Sequence, residues 1–132
     1  MSVLLTVSLS AGLPLSAASH VDVVKMRTEN RVNPLGIGTS TPRFSWQITS
    51  DRKGVVQTSY QILVASSREK LDRNEADLWD SGERKSDEQL WIPYQGKVLL
   101  SGSEAYWKVR ITTNRGKSEW TEPQLFTIGL LG

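Results

Sequence analysis

Fourteen acidic side chains and a single histidine are the residues here that could move a proton. Acid–base chemistry needs a matched pair of them, facing a common substrate, with one group poised by its surroundings. Asp51, Glu69, Asp72, Glu75, Asp77, Asp87 and Glu88 fall in turn-forming stretches, where water solvates them. Asp80 beside Trp79 is the one suggestive pair, and an edge-strand charge that blocks edge pairing explains it better. His20 has no neighbouring His, Cys or tight acidic cluster and reads as a surface residue, not a ligand or base. The serines of "ASS" lack a Gly-x-Ser-x-Gly elbow. The loop "GIGTST" has no lysine and no following helix to cradle a phosphate. With no Cys, disulfides, thiolate nucleophiles and Cys-ligated zinc are excluded. No catalytic, cofactor-binding or metal-ligating residue is assigned, and no cofactor is expected.

The aromatic residues offer binding rather than catalysis. Five Trp can supply core area, and an exposed one can stack on a sugar ring. Trp79 and Trp91 are the candidates, each on a short stretch beside polar residues, although core packing is the commoner fate of Trp. A net charge of +2, from 16 basic and 14 acidic residues, is too balanced for a nucleic-acid footprint.

These side chains must be held by strands. "RFSWQI" alternates with Phe44, Trp46 and Ile48 on one face. "VQTSYQILVASS" puts Tyr60, Ile62 and Val64 in one phase. "YWKVRITTN" puts Trp107, Val109 and Ile111 on one face and Tyr106, Lys108 and Arg110 on the other. "VDVVKMRTEN", "DLWDSG", "QLWIPY" and "WTEPQLFTI" complete about seven short strands, with one helical turn around Glu69 to Leu71. Such spacing predicts an all-β antiparallel sandwich with Trp46, Ile62, Val64, Trp107, Val109 and Ile111 in its core. At 132 residues the chain is one domain.

The end of the chain resembles a fibronectin type III domain. Leu100 and Tyr106 have the spacing of that family's tyrosine corner, and Asn114, Gly116, Ser118, Trp120 and Pro123 match its final turn and strand. Alternation, however, places Ala105 inside and Tyr106 outside. A closer likeness covers nearly all of residues 21–132. "TENRVNPLGI", "PRFSWQ", "SYQILVASS", "LWDSG" and "YWKVRITTNRGKSEWTEP" resemble the N-terminal domain of large bacterial α-L-rhamnosidases. That resemblance implies an immunoglobulin-like, fibronectin type III-like sandwich ahead of further β domains and an (α/α)₆ barrel. The barrel carries the acids that hydrolyse terminal rhamnose with inversion, a geometry needing carboxyl groups about 6.5–9.5 Å apart. The implied role is therefore a non-catalytic accessory domain, with neighbouring domains as partners. A module that binds rhamnose-containing glycans and an extracellular protein-interaction module are the alternatives.

Residues 1–18 read as an export leader, since Ser16 and Ala18 fit small-x-small cleavage before Ser19. A secreted or periplasmic location and a domain over 19–132 follow. No basic stretch precedes the apolar run, and the competing reading is a first strand with Val3, Leu5, Val7 and Leu9 on one face. Gly12 and Pro14 break the run before it could span a membrane. A chain starting at Ser19 is expected to melt where the full chain does. At the other end "LFTIGLLG" stays apolar, which points to docking by Leu130 and Leu131, with the stripe Tyr106, Lys108 and Arg110 as part of the same contact.

Overall fold

The computed structural model describes residues 21–131. Residues 1–18, read above as a leader, and His20 lie outside that range. Two antiparallel sheets face each other. The first holds β1 (Asp22–Thr28), β2 (Arg43–Thr49) and β5 (Ile92–Pro93), in the order β1-β2-β5. The second holds β3 (Gln57–Ala65), β4 (Trp79–Asp80), β6 (Glu104–Thr113), β7 (Gly116–Lys117) and β8 (Gln124–Thr127), ordered β4-β3-β6-β7, with β8 also paired to β6. One short helix, α1 (Arg68–Asp72), follows β3 and is capped by Ser67, whose hydroxyl accepts from the Lys70 amide. The expected sandwich is present, with the helical turn where its sequence was read.

Its core is the predicted one. Trp46, Ile62, Val64, Trp107, Val109 and Ile111 are all buried between the sheets, with Phe44, Tyr60 and Phe126. Ile48 is only partly buried at its margin. The Phe44 and Trp107 rings stack at 4.4 Å. Each central indole N–H finds an oxygen: Trp107 Nε1 donates to Thr28 Oγ1 and Trp46 Nε1 to Gln57 Oε1, both at 3.0 Å. Gln57 in turn donates to the carbonyls of Ser86 and Glu88, which ties the 83–89 loop to the core. Burying polar indole nitrogens costs stability unless they are paired, and here both are.

Three departures from simple alternation have local causes. In β1 the register slips between Val24 and Arg27, around Lys25 at φ 53°. The extra residue switches phase, so Met26 and Thr28 are buried after Val24 has faced outward opposite Gln47. In "QLWIPY" only Ile92–Pro93 keeps a ladder. Trp91 at φ 60° kinks the segment, and Pro93 has no N–H to give, which suits a sheet edge.

The third departure is in "WTEPQLFTI", where only Gln124–Thr127 forms a strand. Upstream, the Ser118 and Thr121 amides donate to the Ile111 and Val109 carbonyls. The same two residues' hydroxyls accept from the Ile111 and Val109 amides, each at 3.0 Å. Side-chain oxygens thus replace ladder carbonyls. Three residues on this segment span two on β6, and the surplus throws Trp120 over the outer face of the sheet.

Candidate functional site: an exposed apolar end

The carboxylates that face neighbours are engaged as acceptors. Asp77 accepts from Ser66 Oγ and N and from Lys70 Nζ, at 2.6, 2.8 and 3.2 Å. Glu29 takes a two-pronged contact from Arg43 at 3.0 and 3.1 Å. Glu83 accepts from Ser59, and Lys117 lies 3.5 Å away. Hydrogen bonds from Arg43, Arg73 and Ser59 hold Glu29, Glu75 and Glu83 respectively below the usual carboxylate range. For Asp77, partial burial pushes upward, but the bonds from Ser66 and Lys70 outweigh it and the net direction is down. Every resolved carboxyl displacement therefore favours the charged form, the reverse of a proton donor's requirement. Among the described residues no group of three His, Asp or Glu side chains could hold a metal ion.

Asp80 lies on β4 and is occupied: its Oδ1 accepts from Gln61 Nε2 and the Gly82 amide at 2.9 and 2.8 Å. Trp79 is a core residue, 8% exposed and edge-on to Tyr94 at 5.5 Å. Trp91 is the exposed indole of the pair, at 40%, with the Arg43 guanidinium 4.1 Å from its ring centre. Composition alone could not separate these two; only the kink at Trp91 turns its ring outward.

The stripe expected to meet a partner is partly covered from within the chain. Lys108 is 6% exposed, its ammonium 5.1 Å from the Trp120 ring, and the Arg110 guanidinium sits 4.5 Å from the same ring. Tyr106 packs with Trp120 and Ala76 on a small cluster made by Leu63, Ala65 and Leu71 of α1. Burial pulls the Lys108 ammonium below its ordinary value; Asp72 opposes this and Arg110 adds to it. The chain's own Trp120 and α1 therefore cover part of this stripe, Lys108 above all, while Tyr106 and Arg110 stay half-buried.

The tyrosine-corner spacing is corrected as well. Leu99, not Leu100, enters the core, and Tyr106 Oη donates outside the sandwich to Glu104 at 2.8 Å. Tyr94 instead closes the 94–97 turn that follows β5. Its hydroxyl donates to the Lys97 carbonyl at 2.6 Å, and burial pushes it up to about 12, with a smaller push from Asp77. Gly96 makes room: a Cβ there would stand 2.3 Å from the Leu78 carbonyl oxygen and 2.6 Å from the Tyr94 hydroxyl.

Among the described residues two surface features stand out. A cleft of ≈ 620 Å³ runs between β1 and residues 117–124, with Val23, Lys25 and Arg27 on one wall and Glu119, Trp120 and Gln124 on the other. Its charges are mixed in sign. The other feature is the end of the sandwich where the chain leaves. Leu130 is 93% exposed, Leu100 68% and Leu35 71%. Leu130 was legible as an apolar tail; Leu35 and Leu100 were not, because one sits in a Pro/Gly loop and the other was read as a corner residue. Sequence distance separates them, and backbone hydrogen bonds bring their loops together.

Two antiparallel sheets around an aromatic core, with connections at both ends, define an immunoglobulin-like β-sandwich domain. The chain belongs to the family described as the Rha78A-like N-terminal immunoglobulin domain, which matches residues 23–132. It is similar to an α-L-rhamnosidase of Formosa agariphila, 39% identical over 114 residues, covering 86% of this chain and 12% of that protein. It is 39% identical over 115 residues to an α-L-rhamnosidase of Streptomyces avermitilis, 86% of this chain and 11% of that one. Among solved structures, the Streptomyces avermitilis α-L-rhamnosidase complexed with L-rhamnose superposes with a TM-score of 0.80 at 36% identity, covering 86% of this chain and 11% of that one. The α-L-rhamnosidase from Dictyoglumus thermophilum also gives 0.80, at 35% identity, with coverages of 83% and 12%. The chain thus spans only about a tenth of the length of the relatives it matches.

Proposed function

We propose that this domain is the non-catalytic accessory domain of a secreted bacterial α-L-rhamnosidase, and that its role is structural: it packs against neighbouring domains and helps position the catalytic part. The observation that carries this is the family match together with the small share of each relative that the chain covers. Glu29, Glu75, Asp77 and Glu83 are all held below the usual carboxylate range, which favours their charged forms and agrees with it. The parent enzyme would hydrolyse terminal α-L-rhamnose from glycans or glycosides. The apolar opening of the chain, with its small-x-small site at Ser16 and Ala18, supports export. Deleting residues 19–132 from the parent should lower its melting temperature or soluble yield and leave KM nearly unchanged. A large rise in KM for polymeric substrate, with stability untouched, would overturn the structural role.

Trp91 favours a second reading, a carbohydrate-binding module, because an exposed indole can stack on a sugar. Titration with rhamnose-containing glycans, comparing the wild type with Trp91→Ala, decides between the two.

A further inference from the structure

We propose that the end of the sandwich bearing Leu35, Leu100 and Leu130 is a preformed seat for the domain that follows this one in the longer protein, and that the chain enters that domain along a fixed path. The inference rests on the accessory-domain reading and gives it a surface. Three leucines stand on three separate loops of one end, each more than two-thirds exposed. A soluble surface tolerates single exposed leucines, but a shared apolar end marks a contact.

The loops beneath them are not free to rearrange. Ile37 N donates to the Thr127 carbonyl and Gly129 N to the Ile37 carbonyl, both at 2.9 Å. Gly36 N donates to Thr127 Oγ1. Gly102 N donates to the Ile128 carbonyl at 2.8 Å, and Leu131 N to Ser101 Oγ at 2.9 Å. Residues 36–37, 101–102 and 127–131 are therefore one laced unit. Gly129 presses on Gly36 so closely that a Cβ on it would stand 2.9 Å from the Gly36 carbonyl oxygen. This close approach straps the outgoing chain to the body of the sandwich up to Leu131. A flexible linker would do the opposite, leaving its last residues polar and unbonded.

The occupant follows from chain order. The family is an N-terminal domain, and the relatives are eight to nine times longer, roughly, than the part matched here, so most of each lies outside the sandwich. Whatever folds directly after residue 132 is tethered beside these leucines at high effective concentration. An apolar, immobile seat costs little ordering when it docks, which suits a permanent joint between domains.

The test uses the full-length protein and limited proteolysis of the junction after residue 132. The triple variant Leu35→Ser, Leu100→Ser, Leu130→Ser should raise the junction cleavage rate about tenfold or more, since cleavage follows the population of the undocked form. Gly129→Ala should move it in the same direction by loosening the strap. Cleavage of the triple variant at the wild-type rate overturns the inference. Because all three leucines point to solvent, the amides of Val109 and Ile111 should keep their hydrogen-exchange protection. If they lose it, the single variants Leu35→Ser and Leu100→Ser decide: faster junction cleavage in them supports the seat, and unchanged cleavage overturns it. Turnover of an aryl α-L-rhamnoside by the wild-type parent is measured separately. Its absence would sink the rhamnosidase reading, whereas normal turnover with an unaffected junction would sink only the seat.

Discussion

The two faces of the β3–β6 pair are built from alternate residues of the same strands, yet they are sealed by different physics. The inner face presents Ile62, Val64, Trp107, Val109 and Ile111 to an opposing sheet, and it is closed chiefly by apolar area, with the Trp107 indole bonded to Thr28 across the gap. The outer face presents Leu63, Ala65, Tyr106, Lys108 and Arg110, and among the described residues no sheet lies across it. A single turn of helix and one displaced tryptophan cover it instead. One part of that outer lid is apolar contact through Leu71; the other is the Lys108 and Arg110 side chains laid against the Trp120 indole. A polar stripe on a strand therefore does not mark a free surface. Long cations are among the few polar groups that can be covered while staying charged.

The largest effect should come from the inner face. Trp107→Ala removes an indole at the centre of the core and strands Thr28 Oγ1, and it should cost about 3–5 kcal/mol in urea unfolding. A loss no larger than that of an outer-face variant would erase the distinction between the faces. Trp120→Ala should cost less, about 1–2 kcal/mol, since it removes two cation–ring contacts from a partly exposed site. It should also let water reach Lys108 and raise that lysine's pKa toward its ordinary value, measurable by NMR titration. An unchanged Lys108 pKa would show that Trp120 is not what buries it.

The smallest effect concerns how α1 is fastened. Asp77 ties Ser66 and Lys70 to the 76–80 segment. Its folded pKa lies below its ordinary 3.8, so its contribution is present above the unfolded pKa and is lost as pH falls through the folded one. Asp77→Asn should lower the melting temperature slightly at neutral pH and flatten the decline below about pH 4. Glu29, Glu75 and Glu83, also lowered, keep part of that decline in the variant. An acid limb as steep as wild type would mean that Asp77 contributes nothing to it.

The sandwich itself was legible in the sequence. Period-2 alternation over 43–48, 60–64 and 107–111 assigned the core side chains to the correct face of each strand, and it put Tyr106 outside against the family spacing. That no catalytic constellation is present is an expectation only, read from acids scattered through turns. Alternation reports which side of its own strand a residue leaves from. It carries no information about what stands opposite. Only the tertiary structure decided that Trp79 goes in and Trp91 out, that Lys108 is covered by Trp120, that the Tyr94 hydroxyl closes the 94–97 turn, and that Leu35 and Leu100 join Leu130 at one end. Each of these depends on contacts between segments distant in sequence, or on one surplus residue that changes a strand's phase. Such contacts are fixed when the segments pack together, and no window of neighbouring residues contains them.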